Sequence, residues 1–132
     1  MWSSILLTAT PEVDALRRAV SGAFGVEPTE VHVLTGDPGQ DTSAARVVVE
    51  VASVRGDFVS LVEVYADEDL ESRGSLAGLA SVCRELRVSA FIGDDSANPS
   101  SGYFVTAAGQ VEAARIDPEA ETAGEYRLTR RK

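Results

Sequence analysis

At 132 residues the chain is the size of one domain and long enough to bury a core without disulfide or metal staples. Its 44% hydrophobic and 25% charged residues exclude wholesale disorder. A formal net charge of −9, from 21 acidic against 12 basic side chains, argues against nucleic acid and membrane surfaces as partners, since both are bound largely by neutralising phosphates with Lys and Arg.

Four of the basic residues, Arg127, Arg130, Arg131 and Lys132, fall in the last six positions. The body before them carries 21 acids against 8 bases, or −13, so a charged partner is expected to be basic. The start, MWSSILLTATPEV, lacks the basic segment and long apolar run of a secretion signal. No apolar stretch approaches the roughly 20 residues that span a bilayer, and a cytoplasmic location is expected. Eleven arginines against one lysine point to a GC-rich bacterial coding bias. The single cysteine, Cys83, excludes an internal disulfide and falls on the apolar stripe of an expected helix, where it reads as a small buried hydrophobe.

The first expected strand covers Ser3 to Thr8, with Ile5-Leu6-Leu7 as a short apolar run. Thr10-Pro11-Glu12 then opens a helix, with Thr10 as cap and Pro11 in the first helical position. Val13, Leu16, Val20 and Phe24 recur at helical spacing, and Gly25 ends the helix. Glu30 to Thr35 is a second strand, which the intervening helix allows to run parallel to the first. Gly36 to Ala44 is a polar loop of turn formers.

Arg46 to Ala66 (RVVVEVASVRGDFVSLVEVYA) reads as a long β-hairpin with a type II′ turn at Gly56-Asp57. That turn sets Val54 opposite Val59, Ala52 opposite Leu61, Glu50 opposite Glu63 and Val48 opposite Tyr65. Val47, Val49, Val51, Val62 and Val64 then share the other face, which is expected to pack on the core. A dense acidic run, Asp67-Glu68-Asp69-Leu70-Glu71, precedes a second helix from about Ser75, with Leu76, Leu79, Val82, Cys83 and Leu86 on one stripe. A short strand from Ala90 to Ile92 follows. A second hairpin, Tyr103 to Ala107 with Gln110 to Ile116, turns at Ala108-Gly109. Residues 118–132 read as a weakly ordered tail or an edge strand around Tyr126 to Leu128. The order β-α-β-β-β-α-β-β-β describes a single α+β domain over residues 1–132. Its sheet is mixed and mainly antiparallel, with two amphipathic helices packed on one face.

Chemistry-bearing residues are sparse. Glu50 and Glu63, opposed at about 5 Å, pair two carboxylates that repel unless they are solvated, share a proton or hold a cation. With Asp94 they form a candidate metal site through hard oxygen ligands. Gly93-Asp94-Asp95 with Asn98 lacks the spacing of a calcium loop. His32 is the only histidine and reads as structural, with Asp37 or Asp41 of the following loop as the acids a catalytic role would draw on. Arg55-Gly56-Asp57 spells an adhesion tripeptide, but its residues are those a hairpin turn asks for. No glycine-rich phosphate loop occurs, no cofactor is expected, and basic residues do not interleave with aromatics as nucleic-acid surfaces require.

The expected function is therefore a non-catalytic acidic binding protein. Asp67, Glu68, Asp69, Glu71, Asp94 and Asp95 are its expected contacts with a basic protein. In size and charge alone the chain resembles the immunity proteins that neutralise basic toxins, which makes immunity or enzyme inhibition the concrete form of that expectation. The alternatives are a small metal-assisted hydrolase or ligand-binding domain built on Glu50, Glu63 and Asp94, and a homodimer paired through the sheet.

Overall fold

The computed structural model describes residues 4–34, 45–94, 97–98 and 100–130. The chain is α+β. Its main sheet is built from β1 (Ser4–Leu7), β2 (Val31–Leu34), β3 (Val47–Ser53), β5 (Ser60–Ala66), β6 (Ala90–Gly93), β7 (Ser101–Val105), β8 (Val111–Ile116) and β10 (Leu128–Arg130), and a short ladder joins β4 (Arg55–Gly56) to β9 (Glu125–Tyr126). The eight-stranded sheet has the order β10-β8-β7-β6-β1-β5-β3-β2. Every pairing in it is antiparallel except β2 with β3. The first two strands do run in the same direction, as expected, but β5 and β3 lie between them.

Two helices, α1 (Val13–Phe24) and α2 (Leu76–Leu86), cover one face. Leu16, Val20 and Phe24 of α1 and Leu79, Val82 and Cys83 of α2 join Ile5, Leu7, Val47, Val49, Val62, Val64, Ile92 and Val105 of the sheet in one buried cluster. This is the face to which the alternating valines assigned the core. Gly25 ends α1 in the left-handed conformation at φ 67°, and the Ser75 side chain accepts from the Gly78 N–H to cap α2. The start of α1 departs from expectation. It opens after Glu12 without a side-chain cap, because the Thr10 hydroxyl is engaged with the Ser60 hydroxyl at 2.8 Å, and Pro11 precedes the helix.

The β3–β5 register is the expected one: Val48 opposite Tyr65, Glu50 opposite Glu63, Ala52 opposite Leu61. Its tip differs from a two-residue turn. Val54 N–H donates to the Val59 carbonyl at 3.0 Å, but Val59 N–H donates to Leu7 and Asp57 N–H to Tyr126. Gly56 keeps the expected positive φ, 112°, and a Cβ there would collide with the Tyr126 backbone. The competing force is burial of Phe58, which is 0% exposed and lies 6.3 Å from the Phe91 ring and 6.4 Å from the Phe104 ring. Burying an aromatic ring of this size outweighs the net contribution of one turn hydrogen bond, and the N–H groups of the tip find other acceptors.

That burial creates a second, smaller core on the sheet face opposite the helices: Leu6, Phe58, Phe91, Phe104, Ala114 and Ile116, with Leu61, Tyr126 and Leu128 packed against it. The run Ile5-Leu6-Leu7 is continuously apolar because β1 is central and covered on both sides. The covering layer comes from the segment expected as a tail or edge strand. Leu128–Arg130 does form the edge strand on β8, and it is preceded by a short helix, α3 (Pro118–Thr122), capped by the Asp117 side chain. The Asp57 carboxylate accepts from Leu128 N–H at 2.8 Å, so the acid of Arg55-Gly56-Asp57 serves to hold this layer down. Among the described residues, no helix is long and apolar enough to cross a membrane.

Candidate functional site: an acidic groove on the outer sheet face

The layer formed by α3, β9 and the hairpin tip covers only part of the outer face. Where it stops, the register of β3, β5, β1 and β6 places Glu50, Glu63 and Ser4 in one row that continues toward Gly93. Here the surface sinks into a groove of about 370 Å³. Leu6, Leu61, Phe91 and Ile116 form its apolar floor, while Glu63, Glu121, Ser4 and Tyr126 supply its polar and aromatic margin. The sheet delivers the first carboxylate and α3 the second, so the groove exists only when the terminal segment is docked.

The margin is electrically unbalanced. The Tyr65 hydroxyl, on a side chain that is 52% exposed, donates to the Glu63 carboxylate at 2.8 Å. That hydrogen bond raises the phenol pKa above its ordinary value of 10.0, with partial desolvation and the charges of Glu63 and Glu50 adding to it. Among the described residues, no Lys, Arg or His forms an ion pair with Glu50, Glu63 or Glu121. The residues opposite and beside Glu63 are another glutamate and a serine.

The acids of the run Asp67 to Glu71 sit elsewhere and in a different condition. Glu68–Arg73 forms a 3-10 turn pinned by Leu70, which is 0% exposed. Asp67 and Asp69 are taken up by Arg46, at 3.3 Å and 2.6 Å, with Glu30 at 3.9 Å. Those bonds, to Asp69 first and then Asp67, raise the Arg46 pKa above its ordinary value. Glu68 and Glu71 stay exposed. Asp94 accepts the Ser101 hydroxyl at 2.6 Å; Ser101 shares the helix-covered face with Tyr103 and Val105, so Asp94 does not join Glu63. Asp95 lies outside the described residues.

Three other sequence candidates are accounted for. His32 is half-buried on the edge strand β2, opposite Val48, and Asp37 and Asp41 lie outside the described residues. Cys83 is fully buried, and desolvation pushes its thiol up to about 11, the opposite of what a nucleophile needs. Among the described residues no three His, Cys, Asp or Glu side chains are grouped as a metal would require. Among the described residues Glu50 and Glu63 therefore stand as a pair without a third such ligand.

Sequence reasoning found Glu63 and its partner through strand register. It missed Glu121 and Tyr126, which meet Glu63 only through tertiary docking of a segment too short to show periodicity, and Ser4, which the pairing of β1 with β5 sets beside Glu63. Comparison of the chain with known protein families, with characterised proteins and with solved structures gives no match.

Proposed function

We propose that the chain is a non-catalytic binding protein that offers an acidic, partly apolar groove to a basic protein partner, in the manner of an immunity or inhibitor protein. The observation that carries this reading is the set of carboxylates at Glu50, Glu63 and Glu121, which form no ion pair among the described residues, on a chain whose other clustered acids at Asp67 and Asp69 are neutralised from within. Opposed like charges on a strand pair cost about 0.2–1 kcal/mol, and a basic partner relieves that cost on binding. An apolar floor under a charged rim is also the composition of an interface that gains affinity from the floor and orientation from the rim.

The test uses the immobilised chain and a Glu50→Gln/Glu63→Gln/Glu121→Gln triple variant as parallel baits in bacterial lysate, washed at low and then high salt. The reading expects a basic protein held by the native bait at low salt, released at high salt and absent from the triple variant. Equal recovery on both baits would remove the groove from the account.

A further inference from the structure

Resting on that reading, we infer that the groove is a slot for a single arginine side chain of the partner. The floor and the rim make different demands, and one side chain meets both. Leu6, Leu61, Phe91 and Ile116 ask for methylene groups, which excludes a bare inorganic cation or a compact ammonium. Glu63 and Glu121 at the margin ask for positive charge at the end of that apolar stem. Lysine and arginine both carry an apolar stem with a charged head. Arginine fits further because its planar fork can serve two carboxylates at once, it is more weakly hydrated than an ammonium, and it stacks on aromatic rings such as that of Tyr126 at the same margin.

Two features of the chain sharpen the inference. The groove is small, near the lower limit for sites that engulf a separate ligand, which suits one inserted side chain. Gly93, which also borders it, has nothing within 4 Å of where its Cβ would stand, and it lies at the end of a strand, where valine is a favourable residue. Gly93→Val therefore sets a branched apolar side chain at the border of the slot while leaving every charge unchanged. Gly102, its neighbour across the β6–β7 pair, offers no such opportunity, because a Cβ there would strike the Ile92 carbonyl.

The experiment titrates the native chain with a capped octapeptide of alternating glycine and arginine, and with counterparts in which lysine or citrulline replaces arginine. Citrulline keeps the shape and removes the charge. The expected result is binding of the arginine peptide, weaker binding of the lysine peptide and none of the citrulline peptide. Affinity for the arginine peptide should fall about tenfold or more in Gly93→Val and in Glu63→Gln/Glu121→Gln. Glu68→Gln/Glu71→Gln, which makes the same change in net charge away from the groove, should keep it within about twofold. Melting curves establish that each variant is folded. If Gly93→Val binds the arginine peptide as tightly as the native chain, the slot is overturned while the acidic-surface reading stands. If neither cationic peptide binds, both fall together.

Discussion

The chain has two acidic regions, and they are opposites in physical terms. At one edge, Arg46 gathers Glu30, Asp67 and Asp69 around a single guanidinium, and the turn that presents the two aspartates is held by the wholly buried Leu70. On the outer sheet face, Glu63 and Glu121 meet at the groove from a strand and a short helix, Glu50 lies opposite Glu63, and none of the three forms an ion pair among the described residues. The first region is the denser in sequence and the more satisfied in space. Acidic density along a chain thus reports composition, whereas the charge left for a partner is what remains after the fold's own cations are assigned.

The largest effect that separates the regions is on stability. Leu70→Ala should cost about 2–5 kcal/mol, because it opens a cavity beneath the turn that carries Asp67 and Asp69; chemical denaturation would measure it. A cost below about 1 kcal/mol would mean that the acidic run is a loosely attached surface feature, available to a partner after all. Asp67→Asn/Asp69→Asn strips Arg46 of two partners and should lower the melting temperature while leaving peptide affinity nearly unchanged. The groove double variant Glu63→Gln/Glu121→Gln should do the reverse. If both double variants lose affinity equally, the distinction between the regions collapses into net charge.

A finer measurement compares the two regions through repulsion alone. Glu50→Gln removes one of two directly opposed carboxylates and should stabilise the fold by about 0.2–1 kcal/mol, toward the low end in high salt. Removing Asp69 should destabilise it. The contrast in sign, read from denaturation midpoints at two salt concentrations, needs no knowledge of the partner.

Much of the architecture was readable because it is local and periodic. The valines at 47, 49, 51, 62 and 64 alternate, and alternation settles register once a turn is placed, so Glu50 and Glu63 could be paired from residues alone. Gly25 and Ser75 mark helix ends for reasons confined to a few neighbouring residues. The failures share the opposite property. Gly56-Asp57 has good local turn chemistry, but the tip is decided by Phe58 reaching Phe91 and Phe104, residues far along the chain. β1 occupies the sheet centre, which no pattern within Ile5-Leu6-Leu7 specifies. Glu121 and Tyr126 enter the groove on a five-residue helix and a two-residue strand, lengths at which neither helical nor strand periodicity can be detected. The groove was half legible: its sheet half followed from register, and its other half needed the tertiary fold.

The smallest effect sits on the boundary of the groove and reads its charge most directly. Because the Tyr65 phenol donates to the Glu63 carboxylate, its proton is held above the ordinary value of 10.0. The unfolded chain ionises this phenol first, so the interaction contributes stability that is present below pH 10 and is lost as pH rises through the folded-state value. Glu63→Ala should bring the Tyr65 titration down, seen by ultraviolet absorbance against the other tyrosines, and should flatten that alkaline loss. An arginine bound beside Glu63 should act in the same direction, since a cation near the pair favours the ionised phenol. A downward shift of the Tyr65 titration on adding the arginine peptide, missing in Gly93→Val, would place the guanidinium at this margin. An unmoved titration with binding intact would place the peptide elsewhere on the acidic surface.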